Sequence, residues 1–114
     1  MKIRLVKILR GSAFMWLLLL LVNIVSCSRD ENRGDPAEGA TKTAICVPCH
    51  GKDGNPINAS LSSLAGQDEH YLVDAMKAYQ DGRNSNPAMM DFVKGLSERD
   101  LEDIAAFYAS QHTR

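Results

Sequence analysis

The segment Cys46-Val47-Pro48-Cys49-His50 sets two thiols three positions apart, with an imidazole directly behind the second. Several chemistries use such groups. A structural zinc site needs four ligands, usually from a second paired motif, and His70 and His112 form no such pair. A redox-active dithiol is expected after a strand in a βαβ unit, whereas this pair ends a helical pattern. A plain structural disulfide gives His50 no task. Covalent haem attachment uses all three side chains. Each thiol adds across one vinyl group, the spacing spans the two vinyls, and the imidazole turns onto the iron. Haem attachment is therefore the preferred reading, with thiol–disulfide exchange through Cys46 and Cys49 as the rival from another class.

Iron held by one histidine leaves a sixth position. A second strong ligand closes it to oxygen and substrates, and a thioether sulfur raises the reduction potential. The candidates are Met76, Met89, Met90, His70 and His112. Met76 falls on the apolar stripe of a helix, His112 lies in the tail, and His70 opens a helix and reads as a surface residue. Met89 and Met90 stand in "NPAMMDFVKGLS", read here as a proline-started loop, with one methionine as ligand and the other as packing. Tyr71, Tyr79 and Arg83 are candidates for the wall of the haem pocket or for a propionate contact, Tyr79 reading rather as a core ring.

Three helices are expected to position these groups. The first opens on Asp35 as N-cap, with Pro36 and Glu38 behind it, and runs to about Cys49. The second is "DEHYLVDAMKAYQDG", with Tyr71, Leu72, Ala75, Met76 and Tyr79 on one face and Gly82 as its stop. The third follows Ser97 and carries Leu101, Ile104, Ala105 and Tyr108 on one stripe. Long connections rich in Gly, Pro, Asn and Ser, spanning 51–67 and 83–95, lie between them, and strand signals are almost absent. The fold class is all-α, with loops long enough to need something to pack around. From Asp35 to Arg114 there are 80 residues, marginal for an unaided core.

The first residues carry a different signal. Lys2, Arg4, Lys7 and Arg10 precede an apolar run from Ala13 to Val25, 13 residues long. That suits an export signal and is short of the roughly 20 residues of a membrane span. "IVSC" then resembles the lipobox of bacterial lipoproteins, with Cys27 as the lipidated N-terminus after cleavage. Ser28 in the next position implies the outer membrane if the envelope is Gram-negative. This reading also accounts for an odd cysteine count, three in all. The expected organisation is a signal peptide over 1–26, a lipid-anchored tether over 27–34 and one domain over 35–114. Without residues 1–26 the chain has nine cations against fourteen anions. An acidic mature protein argues against nucleic acid and for protein partners with basic patches.

The segments "CVPCHGKDGN", "LAGQDEHYL", "YQDGR" and "MMDFVKGLSERDLEDIAAFYASQ" resemble the class I cytochromes c, above all the repeated domains of di-haem cytochromes c and their single-domain relatives. The resemblance runs from about Asp35 to Gln111 and contains one attachment motif. It implies a small cytochrome c fold of three to four helices and long loops around one covalent haem c. It implies thioethers at Cys46 and Cys49 and axial ligation by His50. A methionine ligand seven residues before Leu96 is Met89, with Met90 as the alternative. A proline beyond the motif, whose carbonyl holds the proximal imidazole, points to Pro56 or Ile57. Gly39 and Phe107 match a close crossing of the first and last helices. The implied function is one-electron transfer at the periplasmic side of a membrane, between partners such as a respiratory complex, oxidase or dehydrogenase, without catalysis. A haem-based ligand sensor or peroxidase with a labile Met89 is the rival that keeps the cofactor.

Overall fold

The computed structural model describes residues 33–114. The expected signal peptide, Cys27 and most of the expected tether lie outside the described residues. Within them the chain forms five helices and no strand: α1 (Pro36–Lys42), α2 (Val47–His50), α3 (Glu69–Gln80), α4 (Pro87–Val93) and α5 (Glu98–Ala109). None is long and apolar enough to cross a membrane.

The helix starts follow local chemistry. Asp35 Oδ1 accepts the N–H of Ala37 at 2.8 Å, and Pro36 follows where its missing N–H costs nothing. Asp68 caps α3 through the N–H of Tyr71, and Ser97 forms a reciprocal capping box with Asp100.

Two expectations need correction. The first helix does not reach Cys49. It ends at Lys42, where the hydroxyls of Thr41 and Thr43 bond back to the carbonyls of Glu38 and Ala40 and compete with the helical ladder. Pro48 then sits in the first turn of the separate helix α2, where an N–H is not needed. The Met89–Met90 segment is not a loop either. Asn86 caps it through the N–H groups of Ala88 and Met89, Pro87 starts it, and it becomes α4. Five helices replace the expected three to four, because both additions are too short to show a full apolar period.

Helix α5 is the centre of the packing. It crosses α1 on one side and α3 on the other, and α3 carries α4. Leu72, Ile104, Ala105 and Tyr108 form the buried cluster, with Leu64, Val73, Met76, Leu96 and Phe107 packed around it. Gln80 fastens the end of α3 to the end of α4 by donating from Nε2 to the carbonyls of Val93 (2.7 Å) and Leu96 (2.9 Å).

The α1–α5 crossing is also held by charge. Asp103, 2% exposed, accepts the N–H of Asp35 at 2.7 Å and the ammonium of Lys42 at 2.7 Å. Lys42 also reaches Asp100 at 2.8 Å. Burial alone would push the Asp103 carboxyl up. Its bonds to Lys42 and Asp35 overcome that and hold it below the usual carboxylate range. The Lys42 ammonium likewise holds Asp100 low, with help from Ser97. For groups with depressed folded-state values, the stabilisation is complete above the unfolded value of about 4 and is lost as pH falls below it. Asp103→Ala is accordingly expected to cost about 2 kcal/mol at pH 7. Urea titrations at pH 7 and pH 3 check this, and the penalty should shrink at the lower pH.

Candidate haem site

Between α3, α4, α5 and the 60–67 loop lies a cavity of about 560 Å³. Its wall is mostly apolar: Leu64, Leu72, Met76, Val93, Leu96 and Ile104 contribute to it. Into this one space the fold brings Cys46, Cys49, His50 and Met89. Helix α2 delivers the thiols and the imidazole together, since one tight turn separates Cys46 from His50, whose N–H donates to the Cys46 carbonyl at 2.9 Å. Helix α4 delivers Met89. Met90, half-buried, is outside the lining, because successive helical side chains point about 100° apart.

The imidazole is oriented by the backbone. His50 Nδ1 lies 2.8 Å from the carbonyl oxygen of Ser62. A carbonyl only accepts, so Nδ1 carries the hydrogen and Nε2 presents its lone pair, as required of an axial ligand. The partner is thus Ser62 and not Pro56 or Ile57. Ile57 is fully exposed, and neither residue lines the cavity. Nothing in the sequence marks Ser62, since any residue has a carbonyl. The loop is folded to present it, with the Gly54 carbonyl accepting the N–H groups of Leu64 (2.8 Å) and Ala65 (3.1 Å).

The other candidates divide. Tyr71 and Tyr79 line the cavity, Tyr71 remaining exposed on its rim. Arg83 does not line it; its guanidinium pairs with Asp81 at 2.8 Å. Met76 belongs to both the cavity wall and the core. His70 and His112 are exposed and stand outside the lining. Leu61 and Phe92, which the sequence did not single out, also line the cavity. So does Tyr108, whose position on the apolar stripe of the last helix was the available signal. Burial pushes the Cys46 thiol up, and the neighbouring Tyr108 hydroxyl offsets part of that rise.

These residues fit a covalently held haem. The volume is that of a small-molecule cofactor site, the walls are apolar, and the donors are two thiols, one imidazole in the right tautomer and one thioether. An all-helical shell with this donor set defines a c-type cytochrome domain.

No protein-family profile matches the chain. Individual proteins do. The chain is 44% identical over 81 residues to cytochrome c-554(548) of Halomonas halodenitrificans, a match covering 68% of this chain and 98% of that protein. It is 45% identical over 78 residues to cytochrome c4 of Pseudomonas aeruginosa, covering 68% of this chain and 39% of that protein. The crystal structure of reduced recombinant cytochrome c4 from Pseudomonas stutzeri superposes with a TM-score of 0.66 at 36% identity, covering 69% of this chain and 46% of that one. The chain belongs to the class I c-type cytochromes, small electron-transfer proteins that carry haem c. It spans less than half the length of these two cytochrome c4 proteins.

Proposed function

We propose that the chain is a single-haem electron carrier, tethered by lipid at Cys27 to the periplasmic face of a membrane. In this reading Cys46 and Cys49 hold the haem through thioethers, while His50 and Met89 are the axial ligands. The observation that carries it is the convergence of those four side chains on one apolar cavity. One C-x-x-C-H motif within these 114 residues supports one haem in this domain. When bound, the haem supplies a one-electron couple at its iron.

The residues of the chain give that couple its character. His50, held by the Ser62 carbonyl at 2.8 Å, would hold the iron through Nε2 with its ring orientation fixed by the backbone. Met89 contributes a soft sulfur that favours the ferrous form. Leu64, Leu72, Ile104 and their neighbours exclude water, which further disfavours the extra charge of the ferric form. Were His50 and Met89 both to hold the iron, no open position would remain for a substrate, which suits a carrier and not an enzyme. Tethering raises its effective concentration near redox protein partners, such as a respiratory complex, oxidase or dehydrogenase. The excess of acidic residues after the leader suits partners with basic docking patches.

The test is spectroscopic. The exported protein should show a low-spin haem c spectrum, and its mass should include one haem and an acylated Cys27. Met89→Ala should abolish the sulfur-to-iron charge-transfer band and lower the potential by ~0.2 V, a fraction of the range open to axial ligands. Met90→Ala should leave both nearly unchanged. The reverse pattern transfers the ligand role to Met90, and a haem-free mature protein with two titratable thiols overturns the reading.

A further inference from the structure

Tyr108 is one of the largest fully buried side chains, at 1% exposure, and it lines the cavity. Among the described residues its hydroxyl is the buried side-chain polar atom without a hydrogen-bond partner. Such an orphan typically costs 1–3 kcal/mol, and a phenylalanine would fill the same space without that cost. Its polar neighbours are the Thr43 hydroxyl and the Cys46 sulfur, neither of which closes a bond of normal geometry with it. Thr43 already donates to the Ala40 carbonyl at 3.1 Å, which leaves it able only to accept.

The ring cannot turn away. A side chain on Gly54 would meet Tyr108 Cδ1 at 2.8 Å, so the loop backbone lies directly against the ring. Phe107 packs edge-on at 5.1 Å between centroids, and the Tyr108 carbonyl accepts the N–H of Gly66 at 3.0 Å. The hydroxyl hydrogen can rotate, but the oxygen stays beside Cys46. Burial pushes the phenol above its usual value, so it remains a donor.

We propose that Tyr108 is a potential-tuning residue, its hydroxyl donating a hydrogen bond to the Cys46 sulfur once that sulfur is a thioether. A free thiol can donate or accept. A thioether has lost its hydrogen and offers only lone pairs, so attachment converts Cys46 into a pure acceptor facing an unused donor. Drawing electron density from that sulfur draws it from the edge of the macrocycle to which it is bonded, and this favours the ferrous state. Hydrogen bonds to iron-bound sulfur tune the potentials of iron–sulfur centres, and the thioether sulfur would act more remotely, through the carbon that joins it to the macrocycle.

The inference rests on the haem reading of the site, and its test separates the two. In holoprotein exchanged into D₂O, the Cys46 carbon–sulfur stretch in resonance Raman spectra should shift. Tyr108→Phe should abolish that shift and favour the ferric form about threefold, or ~30 mV for one electron. Thr43→Val should leave the isotope shift in place. An isotope-insensitive stretch in the unmutated holoprotein overturns the inference while leaving the haem assignment intact, whatever the variants do. Loss of the shift in Thr43→Val, or an unaltered potential in Tyr108→Phe, also overturns it. A preparation without haem overturns the underlying reading instead.

Discussion

With Cys46 and Cys49 both replaced by serine, the chain should leave haem-loading cells without covalent haem and without a stable fold. A serine hydroxyl is hardly ionised at neutral pH and does not replace a thiolate as nucleophile, so neither thioether forms. The structural consequence is large because the cavity is large. Without haem the apolar walls of a cavity of about 560 Å³, among them Leu64, Leu72, Met76 and Ile104, face water instead of a cofactor, and each large apolar side chain left so forgoes about 1.5–3 kcal/mol of burial. A few such residues together are comparable with the whole stability of an ordinary domain, roughly 5–15 kcal/mol. Acid–acetone extraction should move any associated haem into the organic phase, and circular dichroism should show most of the helix lost. Haem that stays with the polypeptide through a denaturing gel would contradict the attachment chemistry. A well-folded, colourless variant would contradict the claim that the cofactor completes the core.

Gly39→Val should have the next largest effect, a loss of at least ~3 kcal/mol, at or beyond the usual cost of overpacking. A Cβ at Gly39 would lie 1.9 Å from the carbonyl oxygen of Asp103 and 2.8 Å from Phe107 Cβ. Both obstacles are backbone or close to it, so no side-chain rotation relieves them. Helix α1 must move off α5, and that separates Asp35 and Lys42 from Asp103, uncovering a buried carboxylate whose partners overcame its desolvation. Because α1 leads into the Cys46–His50 segment proposed to hold the haem, displacement should also weaken haem retention. Denaturant titration of the holoprotein measures the loss. Gly95→Ala serves as the control, since a Cβ there meets nothing within 4 Å and its cost should fall below ~0.5 kcal/mol. Equal stabilities for the two variants would remove the close crossing as a determinant of the fold.

Much of this was legible before any fold was known. The Cys46–His50 segment pointed to haem attachment by residue type and spacing, with thiol–disulfide exchange as the rival. The starts at Asp35, Asp68 and Ser97 were readable because capping is local: a side-chain oxygen reaches an N–H two or three residues ahead. The resemblance placed Gly39 at a close crossing of the first and last helices, and a Cβ there would meet the backbone of α5. Interior breaks were less visible. The end of α1 at Lys42 depends on which acceptors the hydroxyls of Thr41 and Thr43 choose. The short helix α4 shows fewer than two turns of pattern.

The sequence alone determined that sulfur and imidazole are presented as a unit, that the elements are helical, and where three of the helices begin. Those properties depend on covalent spacing and on groups a few residues apart. Only the tertiary structure decided that Met89 and not Met90 faces the cavity, that Ser62 orients His50, and that the Tyr108 hydroxyl stands beside Cys46. Each depends on the rotation of a helix or the path of a loop in contact with residues far along the chain. Backbone carbonyls and helix azimuths leave no mark in residue identity.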